Sequence, residues 1–178
     1  MAKSADSIKV LANVLLVSPV GRLQISASCK GVTAVQRASK RVRLHQLSRS
    51  AVSSTAQRHA DLAARQLREY FAGRRTEFTV PLDLDGTEFQ QRAWAAMCGI
   101  RYGHTLSYAQ QAKAIGKPKA VRAVGSANGA NPVPIIVPCH RVIASDGSLG
   151  GYALGLTMKR YLLALETTAR RTVGTKHR

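Results

Sequence analysis

The chain has 178 residues, enough for one ordinary domain or two small ones. It carries 27 Lys and Arg against 9 Asp and Glu, so a polyanion is its expected partner, nucleic acid first; the alternative is a basic surface kept for solubility or for ribosome contact, with an anionic membrane surface a weaker third. Its three cysteines exclude a closed disulfide framework. They form no Cys-x-x-Cys pair, and the histidines lack metal-ligand spacing. No apolar run approaches the ~20 residues that span a bilayer, so no membrane-spanning segment is expected. "MAKSADSIKVLANVLLVSPVG" alternates with Asn and ends without a small-residue cleavage site. The reducing cytoplasm is the expected compartment, and there Cys139 stays a thiol.

In chain order, residues 10–37 read as antiparallel strands. Their β-branched runs break at Pro19-Val20-Gly21 and Lys30-Gly31. Residues 37–54, rich in Arg, Lys and Ser without a period, read as a loop. Residues 55–72 read as a helix: Ala60, Ala63, Ala64, Leu67, Tyr70 and Phe71 recur at three and four, and Gly73 ends the run. "RRTEFTVPLDLDG" connects to a second half of different character, with the boundary at residue 86.

Thr87 and Gln90 have capping-box spacing ahead of a helix. Phe89, Ala93, Ala96, Met97 and Ile100 form its apolar face, with Trp94 at the edge. Cys98 in this helix and Cys29 at a turn read as packing thiols. A second capping box, Ser107 and Gln110, opens the short helix "YAQQAKAI". That helix stops at Gly116-Lys117-Pro118, and another is expected at once with Pro118 in its first turn. Two short helices around a tight turn are the pattern of a helix-turn-helix. On the second, Ala120, Val121, Val124 and Ala127 share one side. Lys119, Arg122 and Ser126 share the other, flanked by Ala123 and Gly125. A basic stripe edged by small residues suits a nucleic-acid backbone, and a solvated helix face has the same pattern.

Ile135-Ile136-Val137 reads as a short buried strand ended by Pro138, so Cys139 and His140 emerge at its end. "SDGSLGGY" is a Gly-rich loop. A last helix near 157–166 carries Met158, Leu162 and Leu165 inward and ends at Glu166. Residues 169–178 read as a disordered basic tail that adds nonspecific phosphate attraction.

A thiolate attacks where a thiol does not, and a nearby histidine can take the proton. Neighbouring side chains in a strand point to opposite faces, so a direct Cys139–His140 bond needs a turn at Cys139 or a bridging water. From these residues alone, a nucleophile and a buried thiol beside a satisfied core histidine both stay open.

"NPVPIIVPCHRVIASDGSLGGYALG" resembles the active-site region of the O6-alkylguanine-DNA alkyltransferase family, bacterial type, whose signature is Pro-Cys-His-Arg-Val. "GTEFQQRAWAAMCGIRYGHTLSYAQQAKAIGKPKAVRAVGSANGANP" resembles the helical part that precedes it. The likeness runs from about Thr87 to Glu166, with a weaker stretch in "LREYFAGRRTEFTVPLDLDG". It implies an α+β fold. A small N-terminal domain over 1–86 would hold an antiparallel sheet and a helix, ribonuclease H-like. A mostly helical domain over 87–168 would hold the helix-turn-helix.

The resemblance implies roles residue by residue. Cys139 matches the alkyl acceptor, His140 its water-linked base and Glu166 the carboxylate that holds the histidine. Asn131 matches the hinge asparagine that braces the site. Tyr108 matches the tyrosine that bonds the flipped base, and Arg122 the finger that fills the gap in the duplex. Tyr152 matches the pocket's aromatic wall. Gly150, Val142 and Ala153 match further pocket positions, with backbone groups at Cys139 and Val142 reading the guanine edge and the Ala153 N–H facing O6. Lys119, Ser126 and Ala123 fall on the DNA side. Where some members have serine, Ala153 leaves only the backbone donor. Some members bind a structural zinc, but only Cys29 falls near one such ligand, so no metal and no cofactor are expected.

The implied function is DNA repair by a one-use methyltransferase. It would take an alkyl group from O6-alkylguanine in double-stranded DNA, with O4-alkylthymine left open, as a monomer in solution whose cooperativity on DNA is not fixed. The rival is a helix-turn-helix binder of alkylated DNA that lacks chemistry, against which Cys139 speaks. A transcription factor leaves the pocket sequence unexplained. A phosphotriester-sensing regulator needs a further cysteine-rich metal domain. A thiol protease leaves the basic helix unexplained.

Overall fold

The computed structural model describes residues 11–38 and 53–174. The loop expected over 37–54 lies almost wholly outside them, as do residues 1–10 and 175–178. Three antiparallel strands come first: β1 (Ala12–Ser18), β2 (Gly21–Ala27) and β3 (Val32–Arg37), in the order β1-β2-β3. Register pairs Leu16 with Leu23, Val14 with Ile25 and Ile25 with Val35. With a period of two, Leu23, Ile25 and Ala27 fall on one buried face.

Helix α1 (Ser54–Phe71) covers that face with Ala56, Ala60, Ala63, Ala64 and Leu67. Alanines at this spacing let the helix lie close to the sheet. Gly73, at φ +69°, ends α1 as expected: its N–H donates to Tyr70 O (2.9 Å) and Arg74 N–H to Glu69 O (2.9 Å), a Schellman closure. The connecting segment returns to the sheet edge, where Val32 N–H donates to Pro81 O (2.8 Å) and Asp83 N–H to Val32 O (2.9 Å). That approach requires Gly31, because a Cβ there would stand 2.5 Å from Pro81 O.

The second half is mostly helical: α2 (Glu88–Cys98), α3 (Tyr108–Ala114), α4 (Val121–Gly129) and α5 (Leu156–Gly174). Both capping boxes form as expected, at Thr87/Gln90 and Ser107/Gln110. Trp94 is not at an edge. It is buried, and its indole N–H donates to Ala127 O (2.8 Å), tying α2 to α4. Gln111 and Asn128 exchange amide hydrogen bonds (2.7 and 3.0 Å), and Gln111 also donates to Ala93 O. That buried pair fixes the angle between α3 and α4.

Four other expectations are corrected. Helix α4 starts at Val121, so Pro118 and Lys119 lie in the turn before it; Ala120 is its N-cap and contributes no side-chain cap. Residues 135–137 form a tight turn instead of a strand. Prolines at 132, 134 and 138 remove ladder donors, and Ile135 sits at φ +78°, a costly conformation for a β-branched residue. Cys29 and Cys98 are exposed, not packed. Helix α5 runs on to Gly174, so Glu166 lies within it and residues 169–174 have helical backbone. Its inner face holds Met158 and Leu162, with Leu165 half-buried, and also the buried Lys159 and Glu166. Among the described residues no helix is long and apolar enough to cross a membrane.

Candidate active site

The segment 131–138 carries Cys139 between the two halves. Asn131 holds it together: its side-chain N–H donates to Val137 O (2.8 Å) and to Cys139 Sγ (3.3 Å), and its Oδ1 accepts from Val133 N–H (3.0 Å). Val35 N–H of β3 donates to Pro132 O (2.9 Å), so the sheet braces the same segment. Cys139–Arg141 then forms one 3₁₀ turn, which supplies the bend that a strand lacks. It leads into β5 (Val142–Ile143), which pairs in parallel with β4 (Leu106–Ser107) and so sets Tyr108, at the head of α3, beside the turn.

Cys139 is nearly buried. Burial pushes its thiol up to about 11, against the pull of the Asn131 amide and the Lys159 charge. The Cys139 side chain is therefore a neutral thiol at neutral pH. His140 is fully buried, and burial lowers its basicity while the Glu166 carboxylate supports it. Its Nε2 lies 2.9 Å from Glu166 Oε1, and a carboxylate only accepts, so Nε2 carries the hydrogen. The lone pair is then on Nδ1, which is buried and, among the described residues, has no hydrogen-bond partner, Cys139 included.

Glu166 is the centre of a closed polar group. Arg141 reaches it from Nε (3.1 and 3.2 Å) and Nη2 (3.0 Å), Tyr70 OH at 2.8 Å and Gly103 N–H at 2.9 Å. Burial works to raise this carboxyl, but the donors from His140 and Arg141 outweigh it and bring it down to about 2. Arg141 Nη1 also donates to Ile100 O (2.5 Å).

Lys159 is a further buried ion, apart from the Glu166–Arg141 group. Its ammonium donates to Val142 O (2.6 Å), Leu149 O and Gly151 O (3.3 Å), clamping both ends of the Gly-rich loop. Burial brings it down to about 8, and the nearby Cys139 opposes that. Gly150 in this loop is at φ +62°, and a Cβ there would stand 2.8 Å from Tyr108 OH.

A cavity of about 550 Å³ is lined by Cys139, Tyr108, Arg122, Gly150, Tyr152 and Ala153 of the expected residues, and by Val121, Gly125, Asn128, Gly129 and Gly151 besides. His140, Asn131 and Glu166 stand behind it, with the His140 ring edge-on to Tyr152 at 6.4 Å. Val142 is not in the lining: it is buried, and its carbonyl is taken by Lys159. Lys119, Ala123 and Ser126 are exposed and outside the cavity. A larger groove, about 1260 Å³, runs past Phe71, Phe78, Cys98 and Tyr102, but Cys139 does not reach it.

Tyr70, Arg141 and Lys159 escaped the sequence reading. Arg141 stands inside the Pro-Cys-His-Arg-Val run. Lys159 shares a face with Leu162 and Glu166 at spacings of three and seven, a cation on an apolar stripe. Tyr70 gives no signal beyond an apolar helix position.

A helix-turn-helix bordering an enclosed thiol, carried on a small sheet-and-helix domain, defines a two-part α+β protein built around one buried cysteine. Two family models match in order along it: the ribonuclease-like domain of 6-O-methylguanine DNA methyltransferase over residues 13–84, and the DNA binding domain of the same family over 88–168. The chain belongs to the 6-O-methylguanine DNA methyltransferase family. The methylated-DNA–protein-cysteine methyltransferases of Methanosarcina barkeri and Mycobacterium bovis are 56% and 60% identical to it over 104 residues. Those matches cover 58% of this chain and span 66% and 63% of the two relatives. A crystal structure of Mycobacterium tuberculosis OGT in complex with DNA superposes with a TM-score of 0.74 at 46% identity, covering 87% of this chain and 92% of that one.

Proposed function

We propose that this chain repairs DNA by moving an alkyl group irreversibly from O6-alkylguanine onto Cys139, once per molecule. One observation carries the reading. Cys139 lines a cavity whose rim holds Arg122 of α4, and the neighbouring His140 keeps a free ring nitrogen while Glu166 holds the other.

The chemistry follows from the two acidities. At neutral pH a thiol near 11 is only about one part in ten thousand thiolate, so attack needs the proton removed in step. His140 Nδ1 takes it through a water, and Glu166 stabilises the imidazolium. The sulfur–carbon bond forms as the carbon–O6 bond breaks, and the electron pair passes to the guanine. The proton that left the thiol ends on the guanine, so the net step is thiol plus alkylguanine to thioether plus guanine. Donors around the cavity, the Tyr108 hydroxyl and the Ala153 N–H, stabilise the developing charge. The base must first leave the stack, at a cost of a few kcal/mol, and Arg122 offsets part of that by filling the gap. Lys119, Ser126 and Ala123 face the phosphate backbone.

On this reading residues 1–86 form the supporting domain and 87–168 the DNA-binding and reacting one. The partner is duplex DNA carrying O6-alkylguanine, met by a monomer in a reducing, cytoplasmic setting. Two measurements test it. Cys139→Ala should take no labelled methyl group from duplex DNA while still binding it, and continued labelling would overturn the assignment. Mass spectrometry of the wild-type chain should find one alkyl adduct, on Cys139; an adduct on exposed Cys29 or Cys98 instead would contradict it.

A further inference from the structure

Tyr70 belongs to α1, in the first half of the chain, yet its hydroxyl enters the His140–Glu166 group. The residue is fully buried. Its OH donates to Glu166 Oε1 at 2.8 Å and lies 3.4 Å from His140 Nε2. Oε1 also receives His140 Nε2 at 2.9 Å, Arg141 Nη2 at 3.0 Å and Arg141 Nε at 3.2 Å. A carboxylate has about four lone-pair sites over its two oxygens, so donors on one oxygen compete. Tyr70 makes the shortest of these bonds.

We propose that Tyr70 is a positioning residue for the transfer: its hydroxyl occupies Glu166 Oε1 and so limits how firmly the carboxylate holds a proton on His140. The N-terminal domain thereby sets the base strength of the reacting group. The inference rests on the reading of His140 as the base. Burial and the Glu166 charge push the Tyr70 phenol far up, so it stays a donor throughout any workable pH range. The other groups facing His140 are Lys159 of α5, Arg141 on its own turn, Cys139 beside it and Tyr152 of the Gly-rich loop. Tyr102 faces Glu166. Tyr70 supplies a donor to the carboxylate without adding a charge.

Removing one donor strengthens the remaining Glu166–His140 bond and favours the imidazolium. Imidazolium cannot accept the Cys139 proton, so the acid limb of the rate profile must move to higher pH. Tyr70→Phe keeps the ring and its packing on Phe71, Phe78 and Tyr102 (centroids at 5.6, 5.4 and 5.9 Å). The experiment is single-turnover methyl transfer from labelled duplex DNA against pH, together with nitrogen NMR of the His140 ring. The acid midpoint should rise by about half to one pH unit. At a given pH below it transfer should slow about three- to tenfold against wild type, with no matching fall on the plateau and with DNA affinity unchanged. A profile that superimposes on wild type with the His140 titration unmoved, or one that falls by the same factor at every pH, overturns the proposal. A His140 titration that moves while the transfer profile stays fixed would instead sink His140 as the base and leave the hold of Tyr70 on it standing.

Discussion

The outer face of α4 and the group around Glu166 are both polar, and they are built on opposite terms. Arg122, Ala123 and Ser126 stand in solvent. At such a surface a charge is solvated whatever its neighbours, and an ion pair is worth little. Around Glu166 of α5, Tyr70 comes from α1 and His140 and Arg141 from the 3₁₀ turn, and all are buried with their hydrogen bonds directed at the carboxylate. There each donor is fixed by the others, and losing one leaves a buried charge short of partners. Surface residues on α4 can thus change without touching the fold, while the group around Glu166 cannot lose its charge without loosening it.

The comparison breaks most visibly at Glu166. Glu166→Gln turns the acceptor into a neutral amide and strands the buried Arg141 guanidinium. The expected loss is about 3–5 kcal/mol, read from urea unfolding, with alkyl transfer at least about a hundredfold slower in whatever remains folded. A loss below about 1 kcal/mol would mean that the group is wetter than its geometry implies.

Acid tests the same carboxylate without a mutation. Its folded value is depressed to about 2 from an ordinary 4.5. A depressed acid contributes stability above its unfolded value and loses it as pH falls toward the folded one. About 3 kcal/mol should therefore disappear between about pH 5 and 2, measured by urea unfolding at stepped pH. Glu166→Gln should lack that part of the acid dependence; an unchanged slope in the variant would assign it elsewhere.

Gly150 lies between the two regions. Alanine there is strained by the positive φ and brings a Cβ to 2.8 Å from Tyr108 OH. The expected cost is about 1 kcal/mol or somewhat more, with slower transfer as Tyr108 is displaced from the cavity wall. Equal stability and rate would show that the loop adapts freely despite the Lys159 clamp.

What the sequence disclosed follows the same division. Local signals held: Thr87/Gln90 and Ser107/Gln110 cap as their spacing requires, Gly73 ends α1, Pro19-Val20 and Lys30-Gly31 fall between paired strands, and Gly21 opens β2. The motif around Cys139 placed Asn131, His140 and Glu166 near it because family likeness carries long-range information that periodicity lacks. The misses are tertiary. Ile135-Ile136-Val137 has strand composition, yet the prolines around it and the Asn131 bonds impose a turn. Cys98 sits on a helix whose apolar face passes it by. Tyr70 lies 96 residues before Glu166 and packs like any core aromatic, so only the fold shows where its hydroxyl points.

Arg122→Ala should have the smallest effect on the molecule and a clear one on its work. The side chain is exposed at the cavity rim, so stability should stay within about 0.5 kcal/mol of wild type. If Arg122 fills the gap left by an extruded base, its removal returns about 1–2 kcal/mol of the flipping cost to the barrier. That slows transfer from duplex DNA about five- to thirtyfold. The free modified base needs no flipping, so transfer from it should be unchanged. Equal slowing on both substrates would place Arg122 in the cavity chemistry instead of the duplex, and would erase the separation between the tunable surface and the fixed interior.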